Sequence, residues 1–296
     1  MPDSFARLHP IVTMYFFAAV ILFGMFFMHP VFQGIALLSA FAYSTMIKGK
    51  RGFKFNVFYL LPLLLFMAVL NPAFNHQGVT ILFYLQSGNP VTLESILYGA
   101  AAAVMFVTVI LWFSCYNAVM TSDKFIYLFG RAMPALSLIL SMVLRFVPRY
   151  IEQIKAIANV QKSIGRDASQ GHIARRARNG LKILSIMTTW ALENAVETAD
   201  SMKSRGYGLP GRTSYSLYRF DKRDKAVLTV LIAMSLVVMV GAVRGENTIR
   251  FFPSIKHAEV TVVSVVVYAA YLTLCMTPVL LNIREAMKWK RIESRM

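Results

Sequence analysis

The sequence predicts an all-α integral membrane protein, with about six transmembrane helices and long amphipathic helices inserted between the fourth and the fifth. Three observations predict it. Hydrophobic residues fill 57% of the 296 positions and charged residues only 15%, too apolar a balance for an ordinary soluble domain. Apolar runs close to the roughly 20 residues that a bilayer core demands recur along the chain. The basic residues behind a formal net charge of +17 lie in the connections between those runs, as they do on the cytoplasmic side of membrane proteins. That distribution argues against nucleic acid as a partner, because no separate basic domain carries the charge.

The first two runs, Ile11 to Met28 and Val31 to Ile47, form a hairpin closed at His29-Pro30, and a third extends from Phe55 to Leu70. These three are short and must stand steeply or be completed by snorkelling ends. Ile96 to Met120 is the fourth, with small residues at Gly99 and Ala100 to Ala103 that allow a close helix contact. Ala226 to Val243 and Ala258 to Leu281 complete the six. Cys115 and Cys275 fall inside apolar runs without a ligand spacing, so they read as buried small hydrophobes. The first run is long enough to be a retained span, and no small-residue processing site accompanies it.

Orientation follows from the Lys and Arg in the connections. The loop from Lys48 to Lys54 is strongly basic, whereas Asn71 to Ser95 has no Lys or Arg. The first is therefore expected in the cytoplasm and the second outside. Both termini then come out cytoplasmic, the C-terminal tail carrying Arg284, Lys288, Lys290, Arg291 and Arg295. Arg244, Arg250 and Lys256, between the last two spans, run against the rule. The expected organisation is 1–120 for four spans, 121–225 for a cytoplasmic or interfacial segment, and 226–296 for a final hairpin and basic tail.

A structureless loop as long as 122–225 would be rare. Ile126 to Leu144 is apolar but holds Arg131 and Pro134, which suits a helix at the interface; Ile151 to Lys162 is amphipathic and is broken by Gly165 and Gly171. A second long helix is expected from about Ile173 to Lys203, where Leu181, Leu184, Met187, Ala191, Ala195 and Met202 recur at helical intervals. It stops at Ser204-Arg205-Gly206 and turns through Gly208, Pro210 and Gly211.

The chemistry that is missing narrows the function. No G-x-x-x-x-G-K-[ST] loop occurs, so the chain offers no P-loop cradle for ATP. Within the six runs the carboxylates reduce to Glu259 at an edge, which disfavours proton or sodium coupling. No metalloprotease, triad or Cys/His pattern supports an enzyme; no cofactor and no metal is expected. Glu193, Glu197 and Asp200 share one helical face, which reads as a solvated face before a metal site. His29 and His76 read as loop histidines. The Ser204-Arg205-Gly206 end has two readings: a common helix C-cap, or a docking tip whose guanidinium fork meets a carboxylate while the glycine turns the chain away.

Four runs in order resemble a known family: Asn71 to Thr80, Asp123 to Arg131, Leu144-Arg-Phe-Val-Pro148, and Ser204-Arg-Gly-Tyr207. They look like the signatures of the transmembrane T component of energy-coupling factor transporters, the CbiQ-like family, over about residues 10 to 225. The resemblance implies a non-catalytic subunit of an ATP-driven importer for vitamins or metal ions. Its implied partners are two cytoplasmic P-loop ATPases and a small membrane substrate-binding subunit, in the cell membrane. It also implies two coupling helices ending in Ala-Arg-Gly-like motifs that dock on the ATPases. Ser204, Arg205 and Gly206 match the second motif. The first falls at Ser163, Ile164, Gly165 and Arg166, where Ile164 stands in the arginine's place and Arg166 follows two residues on. The alternative is a carrier or channel that works alone.

Overall fold

A computed structural model describes residues 3–84, 90–130, 133–209, 218–257 and 261–294. Arg131, Pro210, Gly211, Glu259 and Arg295, singled out above, lie outside the described residues. The chain divides into two compact units, Met1–Phe125 with Tyr218–Met296, and Ile126–Leu217.

The first unit is a helical bundle. It contains α1 (Pro10–Phe26), α2 (Pro30–Phe55), a π-turn (Asn56–Leu60), α3 (Leu61–Phe74) and α4 (Leu93–Val119), and later α8 (Lys222–Val243) and α9 (Val262–Glu293). Among the described residues, four stretches are long and apolar enough to cross a membrane: Pro30–Phe74, Leu93–Val119, Lys222–Val243 and Val262–Glu293. α1 is a shorter apolar helix, and the first of the four stretches holds two of the expected runs.

Those two runs are not joined by the expected loop. Helix continues through Lys48 to Lys54, broken only at Gly49, where φ is 57° and ψ −142°. The chain doubles back there. Ser44 Oγ donates to Asn56 Oδ1 at 3.3 Å, and the rings of Phe41 and Phe53 lie 5.8 Å apart. Residues this far apart in sequence would be about 18 Å apart along a straight helix.

His-Pro pairs start both α1 and α2. Proline at the first helical position forfeits only an amide without an intrahelical partner, and the preceding imidazole caps the next one. Ile11 N donates to His9 Nδ1 at 3.3 Å and Val31 N to His29 Nδ1 at 3.4 Å. His29 is thus a helix cap rather than simple polar surface.

Trp112, Tyr43, Tyr271, Phe5, Phe16 and Phe17 are almost wholly buried and form the aromatic centre. The ring of Phe16 meets Trp112 edge-on at 5.6 Å and Phe5 at 5.0 Å, the geometry that the ring quadrupole favours. Gly99 lets α4 approach α3 closely: a Cβ there would sit 2.8 Å from the Ala68 carbonyl oxygen. α3 itself buries no residue, and its exposed Leu65, Phe66 and Val69 suit lipid contact.

The segment before α1 ties one end of the bundle together. Tyr43 OH donates to Asp3 Oδ2 at 2.8 Å, Asn282 Nδ2 to Asp3 Oδ1 at 2.7 Å, and Ser4 N to Asn282 Oδ1 at 2.7 Å. Lys124 Nζ donates to the Ala6 and Val119 carbonyls, and His9 N to Asp224 Oδ1. α1 and α8 begin at this end, α4 finishes there, and α2 and α9 approach it with their C-terminal halves, so α2 packs on α4 and α9 in the same sense. Burial draws the Lys124 pKa below its ordinary value, against the pull of Asp3.

Among the described residues, two small antiparallel hairpins occupy loops where no strand was expected. β1 (Ile81–Tyr84) pairs with β2 (Pro90–Thr92), and β3 (Ile249–Arg250) with β4 (Lys256–His257). The first is pinned to α4 by Glu94, which accepts from Thr80 N at 3.2 Å and Thr80 Oγ1 at 2.9 Å.

In the second unit, α6 (Pro134–Ser163) runs unbroken through Pro148, where the sequence suggested two elements. α7 (Ile173–Ser204) matches the expected second helix to within a residue at its end. A short helix, α5 (Ser122–Gly130), precedes them. α6 and α7 run antiparallel, with the Tyr150 and Trp190 rings 5.5 Å apart and the Arg149 guanidinium 5.6 Å over the Trp190 ring.

Candidate docking tips

The predicted site residues fall on the C-terminal ends of α6 and α7, in two turns of the same kind. At the end of α7, Gly206 N donates to Lys203 O and Tyr207 N to Met202 O, both at 3.0 Å. At the end of α6, Gly165 N donates to Lys162 O at 3.0 Å and Arg166 N to Gln161 O at 2.9 Å. Each pair forms a Schellman closure, which satisfies the last carbonyls by turning the chain through a left-handed residue. That residue is Gly165 with φ +76° and Gly206 with φ +80°, a conformation a Cβ penalises.

The shared bonding fixes a residue-by-residue register. Lys162 corresponds to Lys203, Ser163 to Ser204, Ile164 to Arg205, Gly165 to Gly206 and Arg166 to Tyr207. Ile164 (φ −96°, ψ 19°) and Arg205 (φ −85°, ψ 9°) are the two C-cap residues, with nearly the same backbone. Ser163 and Ser204 each turn their hydroxyl back onto the preceding turn, donating to Asn159 O at 3.1 Å and Ser201 O at 2.9 Å. Arg166 lies beyond the left-handed glycine, at the place Tyr207 takes in the other turn. Ile164 is 59% exposed, and Arg205 and Arg166 are exposed.

The turn after Ile164 is tied down in a way the motif search missed. Asp167 Oδ1 accepts from Ser169 N and Ser169 Oγ, each at 2.8 Å. These bonds hold its carboxyl below the usual carboxylate range. Asn179 Nδ2 donates to Asp167 O at 2.9 Å and Arg176 Nε to Ala168 O at 3.2 Å, so α7 holds the loop from below. The Asp-x-Ser spacing carried the signal, since Asp readily accepts from the backbone two residues on.

The tips stand at opposite ends of α7, whose 32 residues span about 48 Å at 1.5 Å per residue. They are two separate turns rather than one composite site. Glu193, Glu197 and Asp200 are all exposed, and the described residues contain no group of three metal-capable side chains. Cys115 and Cys275 are buried free thiols. His76 lies in the loop that follows α3, its Nδ1 buried without a hydrogen bond among the described residues.

Comparison with known proteins agrees with the four runs. The chain is 35% identical over 106 residues to the energy-coupling factor transporter transmembrane protein EcfT of Staphylococcus aureus, covering 36% of this chain and 40% of that protein. It is 30% identical over 189 residues to the protein of that name from Leuconostoc gelidum subsp. gasicomitatum, covering 60% of this chain and 70% of the relative. With the first of these the match spans about two fifths of the relative's length. The family described as CbiQ, cobalt transport protein, matches residues 4–215, well over half of the sequence, and the chain belongs to that family.

Proposed function

We propose that this protein is the transmembrane coupling subunit of an ATP-driven importer of the energy-coupling factor type, for a vitamin or a metal ion. The observation that carries the reading is the pair of matched, glycine-closed helix ends on α6 and α7, about 48 Å apart, in a chain of this family. Two cytoplasmic P-loop ATPases seat on the tips, and their ATP-dependent closure moves α6 and α7. That displacement passes to a separate small membrane subunit that holds the substrate. The chain does no chemistry itself, and both of its termini lie in the cytoplasm.

Arg205 is the strongest single contact on this reading. Its planar fork suits a carboxylate on the ATPase, and Gly206 removes the following side chain from the approach. Replacing Arg205 by Glu reverses the charge at an exposed position without altering the cap, so the protein still inserts into the membrane. ATP-driven uptake by cells carrying this variant should be lost. Uptake that survives the reversal, or a lone purified chain that transports in vesicles, overturns the proposal.

A further inference from the structure

Between α3 and α4 the bundle leaves a crevice of about 400 Å³. Met67, Leu70, Asn71, Phe74 and Asn75 line it from α3, at the i, i+3, i+4, i+7 and i+8 spacing of one helix face. Ala102, Ala103 and Phe106 line it from α4, where the two alanines are too small to close the gap. From this we infer that the crevice is a lipid site. It holds one acyl chain of a phospholipid from the leaflet on the β1–β2 side, and its mouth selects a headgroup that donates a hydrogen bond, ethanolamine or glycerol rather than choline. The inference stands apart from the docking role proposed above.

Depth and width point to this occupant. Met67 to Asn75 covers about 12 Å of helix, most of the roughly 15 Å that one leaflet contributes to the apolar core. Spread over that length, the crevice averages about 33 Å² in cross-section, against about 80 Å² for a helix 10 Å across. A hydrocarbon chain fits it and a helix of another protein does not. Asn71 and Asn75 lie at the loop end of α3, and Phe106 lies two turns deeper into α4 than Gly99. The polar end is thus at the surface and the apolar end toward the middle, as in a phospholipid. Around the crevice Phe66, Val69 and Phe74 are exposed, and beyond its mouth so are all four residues of β1, including Tyr84, a residue type favoured at the lipid–water interface.

The selection comes from the two amides. Asn71 Oδ1 is shut off from water and has no hydrogen-bond donor among the described residues, a deficit that a donor on the occupant would remove. Asn75 Oδ1 already accepts from Gln77 N at 3.2 Å, which leaves its Nδ2 to donate to a phosphate or ester oxygen. Both side chains are neutral, and Asn71 to Ser95 holds no Lys or Arg, so hydrogen bonding rather than charge sets the preference. Ethanolamine supplies N–H and glycerol supplies O–H. The fully methylated nitrogen of choline supplies neither.

The test places the full chain in nanodiscs of phosphatidylcholine mixed with either phosphatidylethanolamine or phosphatidylglycerol, and native mass spectrometry weighs the lipid that stays bound. The wild type should keep one lipid, with about a two- to tenfold preference for the donor headgroup, the range that one net hydrogen bond supplies. Preference in the first mixture alone makes the ammonium the donor, and in the second alone the hydroxyl; either supports the site. Asn71→Leu keeps the shape and should keep a lipid without preference, whereas Ala102→Leu fills the crevice and should lose it. In vesicles, phosphatidylethanolamine with a photoreactive acyl chain should label 67–75 and 102–106 above α8 and α9. A wild type that shows no headgroup preference, or labelling spread evenly over the apolar helices, overturns the inference without recourse to a variant. So does a photoreactive residue at 102 that, in cell membranes, captures a protein in place of lipid.

Discussion

Replacing Gly206 by Ala isolates what the left-handed turn contributes. At φ +80° an L-residue costs about 1–2 kcal/mol relative to glycine. The added Cβ would also lie 3.2 Å from Leu209 Cδ1, the far end of a flexible side chain that can move a few tenths of an ångström at little cost. The backbone cost therefore dominates. It falls on a turn held by two hydrogen bonds, from Gly206 N to Lys203 O and from Tyr207 N to Met202 O. A penalty of that size shifts the closed-to-open ratio of the tip by a factor of about 5–30. Amide exchange at Tyr207 should quicken by that factor while amides in the middle of α7 stay as protected as before. Gly206→Asn should exchange more slowly than the alanine variant, since Asn visits the left-handed region more readily. Unchanged exchange at Tyr207 in Gly206→Ala, or an Asn variant as fast as the Ala one, would refute the argument that this turn depends on glycine.

Three further outcomes test the bundle. Trp112→Ala removes the centre of the aromatic cluster and should destabilise the protein in detergent by about 3–5 kcal/mol. Trp112→Phe should cost clearly less in the same thermal unfolding assay, because Trp112 Nε1 is buried with no hydrogen-bond partner among the described residues. Asp3→Ala strands Tyr43 OH and Asn282 Nδ2, and a melting experiment should show a loss on the order of 3 kcal/mol. His9 has its pKa lowered by burial, which outweighs the attraction of Asp224. The unfolded state then binds more protons as pH falls below about 6.5, so stability is complete above that pH and declines toward the folded pKa. Melting temperatures between pH 7.5 and 5.5, roughly spanning that reference value, should show the decline, and His9→Asn, which keeps a capping side chain, should flatten it.

What the sequence made legible was what depends on near neighbours. The end of α7 could be read because helical spacing runs up to Met202 and a glycine follows at once. An apolar pattern over Ile126 to Leu144 and an amphipathic one over Ile151 to Lys162 suggested two elements, on either side of Pro148. The helix continues, and the next turn is held by the packing of Arg149 and Tyr150 on Trp190. The basic stretch at Lys48 to Lys54 gave no sign that Gly49 alone makes the reversal. The tie at the start of the chain was out of reach, since Ser4 and Asn282 stand 278 positions apart and neither belongs to a motif. Strand β1 hides for a different reason: all four of its residues are exposed, so it shows no alternation.

The tips combine both situations. Their backbone is set locally, by amide-to-carbonyl bonds that reach back three and five residues, and glycine with a helical run before it announces them. The identity of the C-cap residue is not constrained by that geometry. Near φ −90° and ψ 10° an isoleucine and an arginine sit equally well, and neither is needed to close the turn. Both C-cap residues are exposed, so the packing of its own tip selects neither of them. The sequence is therefore free at 164 and 205 in a way that it is not at 165 and 206, where the left-handed turn calls for glycine.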